Sequence, residues 1–149
     1  MEARSCFFIG HRDAPEEIST ALAAEVRRHI TEFNVTEFVV GHYGHFDAMA
    51  GRVVVAAKEK FPRIRLMMLL PYHPTDAPIN LPEGYDGTFY PPDMEHVPRR
   101  LAIVRANRYM VDHTDYLIAY AHHPASNARE LVEHAETRQK RGLIQVTRI

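Results

Sequence analysis

Histidine closes four apolar runs in this chain. Cys6-Phe7-Phe8-Ile9 leads into Gly10-His11-Arg12, and Phe38-Val39-Val40 into Gly41-His42-Tyr43-Gly44-His45. Leu66-Met67-Met68-Leu69-Leu70 leads into Pro71-Tyr72-His73-Pro74, and Tyr116-Leu117-Ile118-Ala119-Tyr120 into Ala121-His122-His123-Pro124. Imidazole changes charge near neutral pH, hydrogen-bonds through two distinct nitrogens and ligates metals. If each run is a parallel strand, all four clusters share one rim of one sheet. The carboxyl rim of an open α/β sheet is where ligands bind.

Two chemistries compete for such a rim. A zinc site needs three protein ligands and an open position. His42 and His45 straddle one strand-to-helix turn, His11, His73, His122 and His123 come from neighbouring turns, and Asp47 adds oxygen. No HExxH or Cys/His spacing motif accompanies them, so a His-rich metal site stays the minor reading. Anion binding is the stronger one, because helix starts present free N–H groups. Arg12 adds a planar cation suited to phosphate or carboxylate. Gly41 and Gly44 leave room at the second turn, and Ser126 and Asn127 offer donors at the last. Glu16 and Glu17 place negative charge at the first helix, which leaves the second and last helix starts as the candidate seats. Asp47 reads either as a dipole-favoured acid in a first turn or as an acceptor for a ribose or base. Glu130 reads either as a surface acid or as a carboxylate facing the rim. Arg105 and Arg108, three apart on one helix, share a face.

The elements that must position these residues follow from periodicity. Strands are expected at about 5–9, 37–40, 64–70, 116–120 and 143–146. Asp13, Pro15, Glu16 and Glu17 mark a helix start, and Ile18, Leu22, Val26 and Ile30 give its apolar stripe, with Asn34 closing it. Further helices are expected at about 45–61, 97–112 and from Pro124-Ser126 to just before Gly142. Regular alternation predicts a single α/β domain over 1–149: a Rossmann-like three-layer αβα sandwich with a mainly parallel five-stranded sheet. The stretch 71–98 holds seven of the chain's 10 prolines. It reads as a loop that either covers the rim as a lid or stands out as an exposed insertion.

Composition narrows the classes. The 149 residues carry a net charge of -1, 46% hydrophobic residues and one cysteine. Near-neutral charge gives no general pull toward nucleic acid or an acidic membrane. A lone Cys6 inside an apolar run rules out an internal disulfide framework and suits a reducing cytoplasm. The N-terminal residues carry no leader pattern, and no run reaches membrane-spanning length. No GxGxxG or Walker sequence occurs, so no resident cofactor is expected, only a nucleotide-type ligand.

These residues together resemble the SLOG superfamily, named for the DNA-processing Smf/DprA proteins and the LOG cytokinin-activating enzymes. The likeness is nearest to its small bacterial YpsA-like members. Cys6 to Arg12 is similar to their first-strand Thr-Gly-His-Arg-Pro signature, with Ile9 for the threonine and Asp13 for the proline. Gly41 to Ala50 sits where relatives carry Gly-Gly-Ala-x-Gly-x-Asp-x-x-Ala; Gly41, Asp47 and Ala50 match, while His42 and His45 replace glycines. Arg108 to Tyr120 looks like the family's helix-then-strand segment, and Ser126-Asn127 stands where a Gly-Thr pair is usual. The resemblance implies a rim that binds a nucleotide or nucleotide-derived ligand, in a protein that forms homo-oligomers. On that reading Gly10, His11, Arg12, Gly41, His42, Gly44, His45, Asp47, His122, Ser126 and Asn127 form the site. The LOG branch implies an alternative: a phosphoribohydrolase cleaving base from a nucleoside 5′-monophosphate. Glu130 would then be the acid, and Arg105 or Arg108 the phosphate-holding arginine, although the Gly-Gly-x-Gly-Thr cradle of those enzymes is absent.

Overall fold

The computed structural model describes residues 3–123 and 126–149. The expected helix-opening role of Pro124 lies outside the described residues. Six parallel strands form one sheet: β1 (Ser5–Gly10), β2 (Glu37–Val40), β3 (Arg65–Leu69), β4 (Gly87–Phe89), β5 (Tyr116–Tyr120) and β6 (Gln145–Arg148). Their order is β4-β3-β2-β1-β5-β6. The chain winds outward from β1 to β4, then returns across β1 to lay down β5 and β6. The reversal puts the topological switch at β1 and β5, where ligand crevices form in such sheets.

Among the described residues four α-helices complete the layers: α1 (Ser19–Thr31), α2 (His45–Lys58), α3 (Ala102–His113) and α4 (Asn127–Lys140). Alternation along the strands divides the core in two. Cys6 and Phe8 of β1 pack with Phe38, Val40 and Ile118 under α1 and α2. Phe7 and Ile9 turn the other way, joining Val39, Leu117 and Ala119 under α3 and α4. β1 and β5 are buried on both faces, which is why their sequences are nearly continuous apolar runs.

The sheet has six strands where five were expected. The additional one, β4, lies within the Pro-rich stretch, which therefore contributes a strand to the sheet as well as exposed segments such as 73–76 and 80–83. To add a parallel strand beside β3 the chain must return to the amino edge, and residues 71–86 make that crossover without a helix. Its end is pinned firmly. Asp86 accepts hydrogen bonds from Lys58 Nζ (2.7 Å) and the Leu66 N–H (2.8 Å). The Tyr85 hydroxyl lies where a side chain on Gly51 of α2 would have to go. A three-residue strand with no alternating pattern carries too little periodicity to be seen in sequence.

Smaller shifts have local causes. A 3-10 turn, Glu16–Ile18, precedes α1, and Asp13 provides no cap. β6 begins two residues later than expected. Gly142 (φ 73°) donates to Gln139 O and Leu143 to Arg138 O, so these two residues close α4 instead of opening the strand. Among the described residues no helix is long and apolar enough to cross a membrane.

Candidate functional site

The turn after β1 and the turn after β2 are built against each other. Gly44 precedes α2 with φ 121°, a conformation that favours glycine, and a Cβ there would meet Arg12 Cα at 2.9 Å. The close approach lets the His45 N–H donate to Arg12 O at 2.9 Å. Gly41 has a similar internal reason: a Cβ would lie 2.7 Å from Oδ2 of Asp47. That carboxylate oxygen accepts from the Tyr43 N–H at 3.2 Å. The second helix start therefore spends amide donors on Arg12 and Asp47, and a carboxylate already sits there. The expectation of an anion seat at this turn is corrected accordingly.

A cavity of about 300 Å³ opens at the carboxyl edge. Ile9, Leu69, Ile103, Val104 and Leu131 give it apolar walls. Its polar groups are Arg12, Tyr43, Asp47, Asn107, Ser126 and Asn127. Of the site residues expected from sequence, Gly10, His11, Arg12, Gly41, Asp47, Ser126 and Asn127 line it together. His42, Gly44, His45 and His122 do not. The His42 ring packs on Tyr43 with centroids 4.2 Å apart, and burial pushes its pKa down. His45 Nε2 faces outward to Glu16 Oε2 at 2.7 Å. His122 Nε2 is bonded to Ile149 O at 2.9 Å.

The hydrolase set is not assembled. Glu130 is exposed and outside the cavity lining, while Arg105 and Arg108 line a separate surface depression with Asp112. Their shared helix face is real, but it turns away from the face that presents Asn107. The metal reading fails on placement too: among the described residues no three His, Cys, Asp or Glu side chains converge on a point that could hold an ion. Sequence reasoning missed Asn107 and Tyr43. Asn107 is a half-buried amide on α3 between residues that pack inward, and a polar residue interrupting an apolar stripe is the signal that could have found it.

Electrostatics at the cavity are mixed. Arg12 is exposed at the mouth, and among the described residues no carboxylate forms a salt bridge with it. Burial raises the Asp47 carboxyl from 3.8 to about 7, opposed by the Tyr43 N–H and by Arg12. Burial also raises the Tyr43 phenol, with Tyr72 acting in the same direction and Arg99 and Arg12 opposing. At the start of α4 the Ser126 Oγ accepts from the Arg129 N–H at 3.1 Å and donates to His123 O at 3.0 Å. Its hydroxyl is thus a helix cap and loop tie, not a free donor. Ser126→Ala should lower unfolding stability by about 1 kcal/mol in urea titrations, with Ser126→Asp close to the parent; equal stability of the alanine variant would remove the cap.

No family model and no curated protein sequence matches this chain.

A larger depression, of about 1380 Å³, lies at the opposite, amino edge of the sheet. Part of its polar lining is engaged within the protein: Arg4 donates to Phe33 O (2.9 Å) and to the Tyr116 hydroxyl (3.2 Å), and Asp115 accepts from the Ser5 N–H (2.9 Å). The smaller cavity lies beside the topological switch and sets a few polar groups over an apolar floor, the usual place and composition of a small-molecule site.

Proposed function

We propose that the chain binds a nucleotide or nucleotide-derived ligand in the carboxyl-edge cavity, as the resemblance to YpsA-like SLOG proteins implies. The observation that carries this reading is Arg12, a guanidinium without a carboxylate partner among the described residues, at the mouth of an apolar cavity. Such a cation pairs with phosphate through a planar, two-pronged contact. Asp47 supplies an acceptor for ribose hydroxyls or an exocyclic amine. Leu69, Ile103 and Leu131 give a base an apolar surface. Asn107 lines the same space and offers an amide donor, as do Asn127 and Ala128, the residues whose N–H groups open α4.

The test is calorimetric titration with adenosine 5′-monophosphate and other nucleoside monophosphates, each beside its unphosphorylated nucleoside. Arg12→Ala should weaken the monophosphates about 10- to 100-fold, the value of a charge-assisted contact, and leave the nucleosides nearly unchanged. Failure of every nucleoside and monophosphate to bind ends the proposal. Release of free base, abolished by Glu130→Gln, would replace it with the phosphoribohydrolase reading.

A further inference from the structure

The ring of His11 is buried at the rim, and its Nε2 faces the protein. Its Nε2 accepts two consecutive backbone N–H groups, from His122 at 2.7 Å and from His123 at 3.1 Å. A nitrogen that accepts carries no proton, so the neutral ring holds its proton on Nδ1. Successive N–H groups of this kind make a concave donor pair that would otherwise suit an anion. Here the imidazole lone pair fills it.

The bonds continue beyond His123. Its carbonyl accepts from Ser126 Oγ, and Ser126 Oγ accepts from the Arg129 N–H. One relay therefore runs from the end of β1, across the topological switch, to the cap of α4. The cavity lies between the two loops it joins, since Gly10 and Arg12 line it from one side and Asn127 and Ala128 from the other.

We propose that His11 is a positioning residue, a proton-sensitive latch whose neutral ring holds the start of α4 against the cavity and whose protonation releases it. A protonated ring would aim an Nε2–H at two N–H donors, turning two attractive contacts into repulsive ones. The charged groups around it mostly reinforce this. His122 and His123 come from the loop after β5, and the His123 ring centroid is 4.1 Å from that of His11. Asp13, on His11's own loop, opposes them, but it lies 3.5 Å from His123 Nε2. Tyr120 of β5 meets the ring edge-on at 5.7 Å. Burial and the neighbouring histidines hold the imidazole below its ordinary value, with Asp13 opposing. The latch is therefore closed at neutral pH and opens on acidification.

The inference depends on the proposed ligand only for its consequence, so its test needs no ligand. Nitrogen-15 NMR of the imidazoles, followed from pH 8 to pH 5, reports the tautomer and titration of His11. Hydrogen exchange reports the His122, His123 and Arg129 amides. An Nδ1–H tautomer at pH 8 is expected, with the three amides losing protection at least tenfold at the midpoint of His11's own titration. His11→Gln places a non-titrating amide oxygen near the position of Nε2. That variant should keep the protection and lose its pH dependence, whereas His11→Leu should lack protection at every pH. An Nε2–H tautomer, or amide protection that ignores the His11 midpoint, overturns the latch even if neither variant folds. Absence of nucleotide binding at every pH would sink the proposed function and leave these signatures unchanged.

Discussion

Gly10→Ala is expected to destabilise the fold by about 3 kcal/mol or more, at the upper end of the costs of overpacking a core. A Cβ on Gly10 would stand 2.2 Å from Cγ of Phe46 and 2.4 and 2.5 Å from the two ring carbons beside it. Phe46 is 1% exposed and its ring lies against Tyr120, with centroids 6.5 Å apart. The ring cannot retreat without moving α2, and Gly10 cannot retreat because it is in register with Tyr120 of β5. The strain falls on the last residue of the central strand, where the cavity begins. Urea unfolding measures the loss. Adding Phe46→Leu to Gly10→Ala should recover part of it, since neighbours that share a clash are not additive. A cost below about 1 kcal/mol for the single variant would show that the packing described here is wrong.

The second large effect concerns Asp47. Its carboxyl is raised from 3.8 to about 7 by burial, so between those values the folded state keeps a proton that the unfolded chain has released. Stability from this group is complete below pH 3.8, falls as pH rises toward 7 and is lost above it. Taken in full, that gap corresponds to about 4 kcal/mol, and relaxation around the charge reduces it. Asp47→Asn keeps an oxygen for the Tyr43 N–H and removes the titration. At pH 8 the asparagine variant should be more stable than the parent by about 2–4 kcal/mol, and near pH 4 the two should be nearly equal. Unfolding curves at several pH values read the difference directly. A constant difference across that range would show that Asp47 does not titrate in this way. A protein that tolerates such a carboxyl sacrifices stability at the position that faces its cavity, a common trait of binding sites.

Much of the architecture was legible in the residues themselves. Doubly buried β1 and β5 advertise themselves as continuous apolar runs, and α1 to α4 each carry a stripe at helical spacing. What escaped was short or turned on packing. β4 has three residues, and its place is secured by Asp86 and Tyr85, whose partners Lys58, Leu66 and Gly51 are far away in sequence. At the rim, the alternation of strands and helices put the turns that carry Gly10, Arg12, Asp47 and Asn127 on one edge. The direction of a side chain was not. His42, His45 and His122 belong to the same turns, yet they face Tyr43, Glu16 and Ile149.

Local chemistry by itself determined that the chain forms alternating strands and helices, and that its histidines and Arg12 follow strand ends. Those properties depend on apolar spacing and on the few residues that break it. Only the tertiary structure decided that Gly10, Gly41 and Gly44 make room for Phe46, Asp47 and Arg12 rather than for a ligand. Only it decided that His11 Nε2 and Ser126 Oγ are turned into the protein. A hydrogen bond or a steric limit belongs to two groups at once, and which two meet is settled when distant turns pack against each other across the sheet edge.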